Sequence, residues 1–119
     1  MTKHISFLLV LLTLMNYSCN ESVDKIGLIT PNEIEIFSFE THNTTTLKDN
    51  NQIKRIIDYL NKGKIYSSKF SGDYLLILHY NDSLTRIIVQ DNLFKYSKHN
   101  YKLDVNLKLF LDDLTGNVP

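Results

Sequence analysis

One cysteine, two prolines, four glycines and no tryptophan leave this 119-residue chain with few fixed points. The lone cysteine, Cys19, excludes an intramolecular disulfide. Gly27, Gly63, Gly72 and Gly116 stand apart from one another, so no glycine-rich loop is present to cradle a phosphate. Lys plus Arg and Asp plus Glu number 13 each, so no net charge draws the chain to nucleic acid. Basic stripes interleaved with aromatics are missing as well. Nor is there an apolar run of the ~20 residues that a membrane-spanning helix needs.

A shorter apolar run is present at the N-terminus. Lys3 and His4 open it, Ile5–Met15 is apolar except for Ser6 and Thr13, and Asn16, Tyr17 and Ser18 lead to Cys19. Its length is that of an export-signal core, about 7–15 residues. An amphipathic helix would carry polar residues at helical spacing through Phe7–Leu14, and almost none occur there. A helix apolar all round needs burial on every side, which so small a domain hardly provides.

Ser18 directly before Cys19, at the end of such a core, resembles the lipobox of bacterial lipoprotein precursors. With Asn16 and Tyr17 inside it, the box is similar to the relaxed form found in Bacteroidota lipoproteins. The resemblance implies cleavage between Ser18 and Cys19, diacylation of the Cys19 sulfur and acylation of the new amino group. It also implies a protein held at a membrane of the bacterial cell envelope, facing the periplasm or the cell surface. The other possibility is a plain secretory signal that leaves Cys19 as a free thiol in an oxidising compartment. One acyl chain binds a membrane only marginally, at about 0.8 kcal/mol per buried CH₂, whereas two or three on one cysteine make attachment effectively permanent.

The expected layout is a signal peptide over 1–18, a tether over 19–32 and a single domain over 33–119. Removal of the signal leaves 101 residues, enough for one modest core. Charge is uneven along the chain. Residues 19–51 carry six acids against Lys25 and Lys48, while residues 52–72 carry five bases against Asp58. The simplest expectation is that the two segments lie side by side and neutralise each other.

Alternation in "EIEIFSFE", Glu33–Glu40, predicts a strand, and "THNTTTLKDN" a polar loop. Ile53, Ile56, Ile57 and Leu60 fall on one helical stripe, capped by Asp49 or Asn50 and ended by a left-handed Gly63. Lys64–Phe70 reads as a strand, and Tyr74–Tyr80 with Leu84–Gln90 as a hairpin. Leu93–Tyr96 and Tyr101–Leu103 make a shorter hairpin around "SKHN". Asp104 caps a closing helix, with Leu103, Leu107, Phe110, Leu111 and Leu114 recurring at helical spacing and Gly116 after the last. The order β-α-β-β-β-(β)-α predicts a small α+β fold, an antiparallel sheet covered by two amphipathic helices.

No catalytic constellation emerges, and the expectation is a protein that is not an enzyme, with no metal site and no cofactor. His42, His79 and His99 lack a second ligand at local spacing. Asp112 and Asp113 diverge by about 100° on a helix and read as solvated surface. Glu33 and Glu35 share a strand face with α-carbons about 7 Å apart, as a charge-protected edge would have them. Tyr96 and Tyr101 flank the "SKHN" turn, with Lys98 and His99 between them. These four residues form either a binding surface or rings packed beneath the closing helix. The expected function is a membrane-tethered interaction domain whose partner is another envelope protein, of inhibitor or immunity type. The alternative is a small-ligand or glycan-binding module using the Tyr96–Tyr101 edge.

Overall fold

The computed structural model describes residues 26–116. The export signal and Cys19 lie outside the described residues. Alternation in "EIEIFS" forms strand β1, Glu33–Ser38, which buries Ile34 and Ile36 completely. The chain reverses through His42, at φ 62°, into β2, Thr44–Leu47. Helix α1, Asn50–Asn61, follows. Asp49 caps it, its carboxylate accepting from the N–H groups of Asn51 and Gln52 at 2.9 and 3.1 Å. Ile53, Ile56, Ile57 and Leu60 are all buried, each contributing on the order of 1.5–3 kcal/mol.

Five more strands follow: β3 (Lys64–Ile65), β4 (Tyr74–His79), β5 (Leu84–Gln90), β6 (Leu93–Tyr96) and β7 (His99–Lys102). Helix α2, Leu107–Thr115, closes the described chain, with Gly116 left-handed at φ 74°. The seven strands form one sheet in the order β2-β1-β4-β5-β6-β7-β3, and every neighbouring pair is antiparallel. Its inner face and the apolar sides of both helices share one core, in which Phe94, Leu76, Ile87 and Leu107 are fully buried.

This corrects the expected α+β fold in β-α-β-β-β-(β)-α order. The described chain is mostly an antiparallel seven-stranded sheet with only two helices, and a strand stands where a loop was expected. Thr44–Leu47 is a polar edge strand held by backbone bonds to β1, so hydrophobic alternation gives no sign of it. The strand expected over Lys64–Phe70 shrinks to two residues paired with β7 at the far edge. Asn106, not Asp104, caps α2, its side chain accepting from the Leu109 N–H at 3.1 Å.

Gly63 serves a different purpose from the one expected. Positive φ among the glycines occurs at Gly27 and Gly116. A Cβ on Gly63 would instead lie 2.7 Å from two ring atoms of Phe94. Absence of a side chain lets α1 end against that buried ring.

The expected tether reaches the described residues over 26–32, and there it is docked. Leu28 and Asn61 bond reciprocally, backbone N–H to side-chain oxygen at 2.7 Å and side-chain amide to backbone carbonyl at 2.9 Å. The Tyr80 hydroxyl donates to the Ile29 carbonyl at 2.9 Å. Ile26 and Leu28 pack on the core.

Candidate interaction surface

Strand alternation that buries one face of the sheet displays the other. Register puts Glu33, Glu35 and Phe37 of β1 on that open face, beside Leu75, Ile77 and His79 of β4. Arg86 and Ile88 of β5, Lys95 of β6 and Lys102 of β7 continue it. The buried stripes of α1 and α2 belong to the core on the inner side. Among the described residues no helix covers this face, and its apolar residues Phe37, Leu75, Ile77 and Ile88 are half-buried.

Two features divide this face. Near its middle, Phe39, Phe70, Ser71, Gly72, Ile88 and Lys95 line a cleft of about 320 Å³. Phe39 is 39% exposed and meets Phe37 edge-on, with ring centroids 5.5 Å apart. Gly72 permits this packing, since a Cβ there would fall 2.8 Å from Ile88 and 3.0 Å from the Phe39 ring. At and around the cleft, Arg86, Lys95, Lys102 and Lys64 are exposed along β5, β6, β7 and β3. None of the four forms an ion pair among the described residues, though the Lys102 ammonium lies 5.0 Å from the Tyr66 ring centroid.

Among the described residues no ion pair joins the acidic segment 19–51 to the basic segment 52–72, contrary to the expected neutralisation. Acidic β1 lies second in the sheet and β3 last, and Arg86 of β5, in the row of Glu35 and two strands from it, forms no ion pair with it. At the acidic end the only ion pair among the described residues is that of His79 Nε2 with Glu35 Oε1, at 2.9 Å.

A second cavity, of about 340 Å³, lies where α2 meets β4, lined by Ser38, Glu40, Asp73, Tyr74, Lys108 and Asp112 among others. Asp112 is 6% exposed, and its two oxygens accept from the Tyr74 hydroxyl at 2.5 Å and the Lys108 ammonium at 2.9 Å. The hydrogen bond to Asp112 raises the Lys108 pKa. This carboxylate is therefore a pin between helix and sheet, whereas the sequence pattern placed it on solvated helix surface. Desolvation, and secondarily Tyr96, raises the pKa of Tyr80.

The residues singled out at the "SKHN" turn do not share one surface. Tyr101 is 8% exposed and stacks on Phe94, with centroids 5.1 Å apart. Tyr96 is half-buried at the end of β6, while Lys98 and His99 are exposed. Cys19 lies outside the described residues. Sequence reasoning missed the Phe39–Phe70–Ile88 cleft, because four separate segments build it. It also missed the approach of His79 to Glu33 and Glu35, because Glu33 pairs with His79 46 residues further along the chain, beyond any local pattern.

Among the described residues no helix is long and apolar enough to cross a membrane. Comparison with protein-family models, with curated proteins and with solved structures finds no match to this chain, so its role is argued from geometry.

Proposed function

We propose that this chain is a lipid-anchored, non-catalytic interaction domain of the bacterial cell envelope, docking a partner protein on the open face of its sheet. One observation carries the reading: on that face an aromatic cleft adjoins a row of four cations without carboxylate partners. Such a surface fits a protein that inserts an apolar side chain into the cleft and sets acidic residues around it. Charges of this kind act chiefly on the rate of encounter and on the choice of partner, and salt screens them over about 10 Å.

Anchoring through Cys19 would keep this surface close to the membrane. Six residues separate Cys19 from the docked Ile26, a reach of at most about 25 Å. The domain would therefore work near the lipid surface rather than at the end of a long stalk.

The test compares crosslinked membranes carrying the full chain with those carrying an R86E/K95E/K102E variant. These three positions are exposed, so reversal leaves the fold within about 0.5 kcal/mol per site. A single crosslinked partner is expected with the natural chain, weakened by salt and reduced about tenfold or more by charge reversal. Equal recovery of that partner with both chains, at low and high salt, would overturn the proposal.

A further inference from the structure

The acidic end of the open face holds a group with a different chemistry. Glu33 is the direct cross-strand partner of His79, and Glu35 lies two residues further along the same face, opposite Ile77. All three side chains therefore rise side by side from β1 and β4. One donor atom from each lies within 4.8 Å of the others, and His79 Nε2 stands 2.9 Å from Glu35 Oε1. We infer that Glu33, Glu35 and His79 form a binding site for a divalent transition-metal cation, with zinc as its natural probe.

The donor set is the first argument. An imidazole nitrogen with two carboxylate oxygens and no thiolate suits zinc and its first-row neighbours. Donors about 2.1 Å from a tetrahedral ion stand about 3.4 Å apart. The observed spread, up to 4.8 Å, needs adjustments of up to about 1.4 Å, within reach of half-exposed glutamate side chains while the strands stay fixed.

Charge is the second. Two carboxylates share this patch, and the single ion pair there goes to a histidine. With a neutral imidazole the group carries two negative charges; Arg86, two strands away in the row of Glu35, makes no ion pair with either carboxylate, and Lys95 and Lys102 lie on later strands. A divalent ion would neutralise what the protein leaves unbalanced.

Rigidity is the third. The Asn32 N–H donates to the His79 carbonyl at 2.7 Å, and the Asn32 amide donates to Asn81 Oδ1 at 2.6 Å. These bonds fix the start of β1 against the end of β4, so the backbone geometry of the trio exists before an ion arrives. Three protein ligands at a half-exposed position leave a fourth for water or for a donor from a docked protein.

Isothermal titration of the full-length chain in detergent with zinc alone tests the inference. One ion per chain is expected, together with a rise in thermal midpoint that grows with zinc concentration. His79→Ala and the isosteric E33Q/E35Q pair should each weaken binding at least about tenfold. A H42A/H99A control should bind zinc as the natural chain does. Thermal melts without metal identify variants that remain folded, and E33Q/E35Q keeps the shape of the site if His79→Ala does not. No saturable binding to the natural chain, or equal binding by the folded E33Q/E35Q variant, would overturn the site.

Discussion

Gly63→Ala probes the packing that joins α1 to the sheet. At an unstrained position with compatible φ, replacing glycine by alanine stabilises by about 0.4–1 kcal/mol through the unfolded chain. Gly63 is not at positive φ, so that gain applies. Against it stands a collision: the new Cβ would lie 2.7 Å from Phe94 Cε1 and Cζ and 3.1 Å from Tyr101 Cβ. Phe94 is fully buried and stacked on Tyr101, so the ring has nowhere to retreat. Overpacking of this kind costs about 1–3 kcal/mol, and the net expectation is a loss of about 1–2 kcal/mol. For a domain of this size that lowers the thermal midpoint by about 5–12 °C. Circular dichroism melts and urea titrations with unchanged m-value would measure it. Phe94→Leu supplies the control, because a smaller ring-free side chain should remove most of the penalty in a double-mutant cycle. A neutral or stabilising G63A, or an equal cost in both backgrounds, would refute the steric explanation.

Three further outcomes are expected, two from the structure and one from the lipid anchor proposed at Cys19. Asp112→Ala removes the buried carboxylate that accepts from the Tyr74 hydroxyl and the Lys108 ammonium, leaving Thr115 Oγ1 3.4 Å from that hydroxyl. It should cost about 2–3 kcal/mol in denaturant titrations, with K108M costing less because the ammonium is partly solvated. Folding raises the pKa of both Tyr80 and Lys108 above their ordinary 10.0 and 10.5. Their contribution is complete below those unfolded values and is lost as pH rises through the folded ones. The thermal midpoint should therefore fall above about pH 10, and less steeply in a Y80F/K108M variant; identical alkaline profiles would contradict this. Radiolabelled palmitate should enter the natural chain and not Cys19→Ser, and equal labelling of the two would reject the anchor.

Local periodicity made part of this fold legible. The α1 stripe, its Asp49 cap and the β4–β5 hairpin depend on residues within one or two turns of each other, so spacing alone reveals them. Strand β2 escaped because Thr44–Thr46 has no apolar alternation and is defined by the backbone of β1. Glu33 and Glu35 were visibly on one face, but His79 joins them only through a long-range strand pairing. Asp112 looked solvated because its partner Tyr74 is 38 residues away. Tyr101 drew attention as a contact residue, yet its ring completes the core beside Phe94. For His79 and Asp112 the deciding contact is long-range, whereas β2 and Tyr101 are settled by pairing within a hairpin, which hydrophobic periodicity alone does not reveal.

Docking through the open face is tested most directly by placing a photoreactive benzoylphenylalanine at Phe39, beside the cleft, or at Leu109, exposed on α2. After illumination of membranes carrying the full chain, a protein adduct should form from position 39 and not from position 109. Equal adducts from both positions, or an adduct from Leu109 alone, would contradict a partner seated on the sheet.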